Sequence, residues 1–284
     1  MKKIFALALA ALMLVSMFAC TTPANTKVKV IDIPLSVEEY AFAVAKDDAD
    51  LLASVNAYLT KIQADGTFDA ICDKYFGDGT PALITSATKD ASKDQLVVAT
   101  STGFEPFEMV DENGKFSGID LEIAAGLAEY LGKELVIEDM KFESVVTSVQ
   151  QGICDIGMAG LTVTPKRQEM VTFSDSYYNA SQVIIAMESD TTFDECKTAD
   201  DVVAILNALT KDTMIGCQAG TTGEIYIDGD LDLGDEGYGF AGLPATKKAY
   251  DYGALAVAAM KNGQIKYVIL DNAPAKAIAN KVNA

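Results

Sequence analysis

The chain has 284 residues, with 41 acidic and 22 basic side chains, no histidine and a formal charge of −19. That is enough chain for one large domain or two modest ones. The negative surplus excludes nucleic acid, whose binding rests on clustered lysine and arginine. The lack of histidine excludes Ser-His-Asp and Cys-His couples and any histidine metal site. One basic residue stands apart: Arg167 is the single arginine among otherwise lysine cations.

In chain order, Met1-Lys2-Lys3 is a basic start, followed by an apolar run from Ile4 to Ala19 that ends at Cys20. The run is too short to span a bilayer comfortably and fits a secretory signal. From there the pattern alternates short β-rich runs with amphipathic helices, the signature of an α/β protein. Strands are expected at Val28–Ile33, Tyr40–Ala45, Leu96–Thr100, Glu134–Glu138, Ile153–Ala159, Gln182–Ala186, Met214–Gln218 and Tyr267–Leu270. Leu51, Val55, Tyr58 or Leu59, and Ile62 recur at helical spacing, as do Ala124, Leu127, Ala128 and Leu131, with Gly132 as a stop. Thr198, Asp200 and Asp201 open a further helix with a capping oxygen and first-turn acids.

Residues 78–94 are polar, small and without periodicity, and are expected to span freely between elements. Residues 228–239 offer Asp228, Asp230 and Asp232 in the spacing of an EF-hand loop. Leu233 stands where the turn needs glycine and Gly239 where the loop needs glutamate, so a solvated turn is expected. Cys72, Cys154, Cys196 and Cys217 form no Cys-x-x-Cys pair. Cys154 and Cys217 lie in apolar runs and read as small core residues, while a disulfide stays open.

Four segments fall outside the core stripes. Thr164 is a good helix cap and Pro165 suits the first helical position, which puts Arg167 in a first turn beside free backbone N–H groups. A cation there is unfavourable unless an anion is shared, and its planar fork matches a carboxylate in two parallel hydrogen bonds. Gln218-Ala219-Gly220-Thr221-Thr222-Gly223 is a glycine-flanked turn after a strand, able to offer N–H groups and hydroxyls to an anion. Asp271, after the strand Tyr267–Leu270, either caps the next helix or accepts a ligand cation. Phe104, Phe107 and Phe142 supply aromatic faces at strand ends, where open α/β sheets hold ligands. An anion clamp, a cation acceptor and aromatic walls together suit a zwitterion, of which a free amino acid is the obvious case.

These segments carry a resemblance. Leu96–Thr100, Phe104-Glu-Pro-Phe-Glu108, Gly118-Ile-Asp120, Met158-Ala-Gly-Leu-Thr162, Arg167, Phe173-Ser-Asp175 and Asp271, running in order over most of 95–284, resemble the polar amino-acid binding proteins of ABC importers, extracellular solute-binding protein family 3. The resemblance implies an α/β, type II periplasmic-binding-protein-like fold of two lobes with the ligand cleft between them. It implies a receptor that delivers a polar amino acid to an ABC permease by hinge closure, is monomeric, and needs no metal or organic cofactor. It also implies Arg167 for the ligand α-carboxylate, with Thr162 and the Thr222 backbone, and Asp271 and the Gly160 carbonyl for the α-ammonium, again with Thr162. Phe104 and Phe142 would sandwich the side chain. Ser101 stands where cationic amino-acid binders often carry aspartate, and Gln218 where some members have lysine. Both lean the preference toward neutral polar ligands, with cationic ones open. Ala19-Cys20 resembles a lipoprotein cleavage site, implying a signal peptide over 1–19, lipid on Cys20, a tether over 20–26 and an exported protein anchored on the outer face of the cell membrane.

The family's C-terminal segment resembles the front of this chain: Val28–Leu35, Glu39–Val44, Leu51–Ile62, Asp65-Gly-Thr-Phe-Asp-Ala-Ile71 and Lys74-Tyr-Phe-Gly77. The order therefore implies a circular permutation, with 78–94 joining the old ends. The first lobe would comprise 40–77 and 95–178, the second 27–36 and 182–284, with hinges at 37–39 and 179–181. Two other classes remain beside this reading: a non-transport amino-acid sensor, and a dehydratase-like enzyme using Glu105 or Glu108 as acid or base.

Overall fold

The computed structural model describes residues 27–77, 79–230 and 242–284. The signal, Cys20, the tether and most of the acidic turn over 231–241 lie outside them. The chain opens with β1 (Val28–Ile31), β2 (Glu38–Tyr40) and β3 (Ala43–Val44), then α1 (Ala49–Ala64) and α2 (Thr67–Phe76). Next come β4 (Gln95–Thr100), β5 (Met109–Val110), β6 (Phe116–Ser117), α3 (Ile119–Leu131), β7 (Glu134–Asp139) and α4 (Phe142–Gln150). β8 (Ile156–Gly157), α5 (Pro165–Gln168), β9 (Thr172–Phe173), β10 (Tyr178–Ala180) and β11 (Gln182–Met187) carry it across to the second half. That half adds α6 (Ala199–Asn207), β12 (Met214–Gln218), α7 (Thr222–Asp228), β13 (Thr246–Tyr250), α8 (Gly253–Lys261), β14 (Tyr267–Asp271) and α9 (Asn272–Asn283).

Ten of the fourteen described strands form two five-stranded sheets, ordered β7-β4-β8-β3-β9 and β1-β11-β14-β12-β13, and β5 pairs with β6 in a separate ribbon. Parallel pairs at β4–β7, β4–β8, β12–β14 and β12–β13 give each five-stranded sheet a parallel core, and helices bury its apolar faces. β4 is buried at all six positions, as its unbroken run Gln95–Thr100 requires. Between the sheets lies one antiparallel pair, in which β2 runs beside β10 with Glu38 opposite Ala180 and Tyr40 opposite Tyr178. The chain thus passes between the two sheets twice at one place.

The early residues contribute to both sheets. β1 pairs with β11, and β3 lies between β8 and β9. Helix α1 turns Val55, Tyr58, Leu59 and Ile62 inward, while α2 buries Ile71. Gly132 ends α3 at φ +71, a left-handed stop that glycine allows without strain. Thr198 and Asp201 form a reciprocal capping box on α6.

Several expectations need correction. The run Tyr40–Ala45 is two strands, because the chain leaves the hinge ladder at Tyr40 and joins the first sheet at Ala43. Ile153–Ala159 is regular only at Ile156–Gly157, since Gln151 and Gly152 are still turning out of α4. Residues 79–94 do not span freely. Ile84 is buried in a β-bridge with Phe116, the Ala82 N–H donates to Glu122 at 3.0 Å, and the Ala87 N–H donates to the Leu135 carbonyl at 2.9 Å. Ile84 and these backbone hydrogen bonds dock the segment. The four cysteines from Cys72 onward are free thiols, with Cys154 and Cys217 buried. Asp228 lies in α7, paired with Lys247 at 2.6 Å.

Candidate functional site

The sheets bring their loop ends together around the hinge pair, and the singled-out residues converge there. Thr164 caps α5, its hydroxyl accepting from the Arg167 N–H at 3.2 Å, with Pro165 in the first turn. Arg167 is 8% exposed. One arm of its fork donates to the Thr162 carbonyl at 2.7 Å, the other to the Gly220 carbonyl at 3.1 Å. The guanidinium also lies 5.2 Å from the Phe142 ring centre. Arg167 therefore ties the loop after β8 to the loop after β12, across the two sheets. Burial pulls its pKa below the ordinary value, against the nearby charges of Glu38 and Asp271.

Asp271 ends β14 and precedes α9, but its side chain caps nothing. It accepts instead from the Tyr40 hydroxyl at 2.7 Å. Burial raises its pKa to about 7, helped by the negative charge of Glu38 and opposed by the Tyr40 and Gln182 hydrogen bonds. Gly160 holds φ +54, and a Cβ there would lie 2.8 Å from the Phe104 ring, so only glycine lets the loop approach that ring. The Gly160 N–H donates to Asp120 at 2.9 Å, which fixes the loop from behind. Burial lifts Asp120 to about 7, against the Gly160 and Tyr177 hydrogen bonds.

The second sheet supplies Thr222 at the start of α7 and Gly220 at φ +76. A Cβ on Gly220 would stand 3.0 Å from the Glu143 Cβ in the first lobe. Lys141 and Asp251 pair across the same gap at 3.1 Å on the exposed rim. Gln218 is buried, and its side-chain oxygen accepts from the Gly253 N–H at 3.3 Å within its own lobe. Phe142 serves as the face beneath Arg167, while Phe104 is buried against Phe107, with ring centres 6.1 Å apart. Ser101 is buried and its hydroxyl has no partner.

Residues that the sequence reading did not single out complete the site. Glu38, on β2, is 1% exposed and accepts four hydrogen bonds. Its Oε1 takes the Ser36 hydroxyl at 2.6 Å and the Gln182 amide at 3.1 Å. Its Oε2 takes the hydroxyls of Thr162 and Thr222, each at 2.7 Å. Tyr40 and Gln182 are fully buried beside it. The available signal was period-two alternation, because Glu38 shares a face with Tyr40 while Glu39 points outward. Glu108, read before only as a candidate acid, is completely buried, and neither carboxylate oxygen has a partner. Burial raises its pKa well above the carboxylate range, as do Asp120, Asp271 and Asp139.

Residues 96–269 match the family described as bacterial extracellular solute-binding proteins, family 3. The chain belongs to that family. Its relatives include the arginine-binding extracellular protein ArtP of Bacillus subtilis, 34% identical over 102 residues, 36% of this chain and 40% of that protein. The ABC transporter arginine-binding protein 1 of Escherichia coli is 29% identical over 194 residues, 68% of this chain and 70% of the relative. The matched stretch thus spans less than half the length of ArtP. Among solved structures, an ancestral amino acid-binding protein described as a precursor of cyclohexadienyl dehydratase superposes with a TM-score of 0.55 at 27% identity, covering 67% of this chain and 75% of its own. The family match begins at β4 and leaves β1 to α2 outside it, although those elements complete both sheets. No helix of the described residues is long and apolar enough to cross a membrane.

Proposed function

We propose that this family 3 solute-binding protein is an extracytoplasmic receptor that closes on a free amino acid and delivers it to an ABC permease. One observation carries the reading. A buried guanidinium, Arg167, and a buried carboxylate, Asp271, stand in no ion pair with each other or with a third group among the described residues, at the junction of two lobes. Buried charges are ordinarily paired, and a zwitterion pairs both at once. Arg167 takes the α-carboxylate with the backbone N–H groups of Thr162 and Thr222, Asp271 takes the α-ammonium with the Gly160 carbonyl, and Phe104 walls the side chain. This role is binding, not catalysis, and the protein acts as a monomer.

The balance of buried charge speaks for a cationic side chain. Glu38 and Asp271 both act on the one buried arginine, which leaves one negative charge over. A ligand with two cations and one anion restores the balance, which outweighs the neutral lean drawn from Ser101. Relatives described as arginine-binding agree with this.

In the same reading the chain is circularly permuted, its lobes divided at 37–39 and 179–181, with 78–94 joining the old ends. The pairing of β1 with β11 and of β2 with β10 supports it. The signal over 1–19 and lipid on Cys20 place the receptor on the outer face of the membrane. Mass spectrometry of small molecules released from the purified protein tests the function: a basic amino acid at one per chain is the expected result. Recovery of a ligand that the protein converts on incubation would instead make it an enzyme.

A further inference from the structure

Glu38 sits where neither lobe owns it. Ser36 and Gln182, which flank the hinge ladder, hold Oε1, while Oε2 is shared by Thr162 from the first lobe and Thr222 from the second. With four donors on two oxygens, the carboxylate is saturated, so its position is fixed whenever the lobes are together. A threonine hydroxyl has one proton to give. Thr162 gives it to Glu38, so toward the cleft that hydroxyl offers only lone pairs. Thr222 gives its proton to the same oxygen and accepts from the Gln182 amide at 2.9 Å, so its hydroxyl is spoken for within the hinge. A β-bridge sets Thr162 opposite Tyr40, whose hydroxyl holds Asp271. The acceptor lone pair and the Asp271 carboxylate therefore flank one small region.

We propose that Glu38 is a positioning residue for the ligand's α-ammonium. By drawing the Thr162 proton it makes that hydroxyl a fixed acceptor beside Asp271. By drawing the Thr222 proton at the same oxygen, it completes the arrangement only when the lobes are closed. Amino-group recognition and closure become one event. The proposal rests on the amino-acid receptor reading and adds the group that ties recognition to motion. Opening the cleft strips at least one donor from a buried anion, which favours the closed form even before ligand arrives.

The test uses ligand-stripped full-length protein, L-arginine, and its analogue without the α-amino group, 5-guanidinopentanoic acid. Calorimetry on the unsubstituted protein first shows whether L-arginine binds at all; silence to every amino acid overturns the receptor reading, not this one. In Glu38→Gln one oxygen becomes an NH2 group: set toward Ser36 it meets the Gln182 amide donor against donor, and set toward the threonines it donates to both hydroxyls and reverses them. Affinity for L-arginine then falls by about ten- to a hundredfold while that for the analogue changes by less than about threefold. Glu38→Asp recovers part of the loss. Fluorescence transfer between labels on the two lobes shows the ligand-free Glu38→Gln protein more open. Equal losses for both ligands, or none, overturn the proposal, as does an unchanged distance distribution. Should Glu38→Gln fail to fold, Thr162→Val takes its place, and wild-type discrimination in that variant refutes the assignment.

Discussion

Replacing Arg167 by lysine keeps the charge and removes the fork, so it isolates what the planar group contributes. Arg167 donates to Thr162 at 2.7 Å and to Gly220 at 3.1 Å from different nitrogens, and lies 5.2 Å from the Phe142 ring. A lysine ammonium converges on one point and keeps one of the two carbonyls. On a ligand carboxylate that point charge makes one charge-assisted hydrogen bond in place of the fork's two, a loss of about 1.5–3 kcal/mol, and the weakened contact with the ring adds about 0.5–1 kcal/mol. Together these predict a loss of about 2–4 kcal/mol, or roughly 30- to 1,000-fold in affinity. Isothermal titration with L-arginine measures it, with thermal unfolding of the ligand-free variant as a check that the lobes remain intact. Affinity within threefold of the unsubstituted protein refutes the role of the fork.

Three further outcomes follow from the same geometry. Asp271 is raised to about 7 in the folded chain against an ordinary 3.8, so between those values the folded state holds a proton that the unfolded chain has lost. Its contribution to stability is full below about pH 4 and is lost as pH rises through about 7, whereas affinity for an ammonium ligand rises over the upper part of that range. Asp271→Asn flattens both slopes, which melting curves and titrations at pH 6 and pH 8 will read, and it weakens binding while stabilising the empty protein near pH 8. Gly220→Ala places a Cβ 3.0 Å from that of Glu143 and strains a left-handed backbone; ligand affinity falls at least tenfold, by about 1.4 kcal/mol or more, in titrations with L-arginine. Ile84→Ala removes the buried anchor of the segment between the α2 and β4 elements and costs about 2–4 kcal/mol of stability in urea unfolding.

Much of the site was legible because its chemistry is concentrated in unusual residues. A lone arginine behind Thr164-Pro165 announced a capped turn, and the turn is there. Asp271 was readable as either a cap or an acceptor, since both roles place an acid at the end of a strand. In the fold the side chain caps nothing and accepts instead from the Tyr40 hydroxyl, brought from 231 positions away. Glu38 was invisible for a related reason. Its partners come from four separate segments, and a glutamate pair in Glu38-Glu39 reads as solvated surface until the strand's inward face is known. Glu108 hides in the same way, because burial of an acid is a tertiary fact. The segment before β4 looked unstructured because its composition is polar, whereas its docking depends on Ile84 and backbone hydrogen bonds that carry no compositional mark.

The central claim is that the buried guanidinium and carboxylate at the hinge await one free amino acid. Calorimetric titration of the ligand-stripped protein with L-arginine, set beside L-glutamine, tests it most directly. The account predicts saturation at one ligand per chain, with L-arginine binding the more tightly of the two. Absence of saturable binding by either of these or by any other standard amino acid contradicts it.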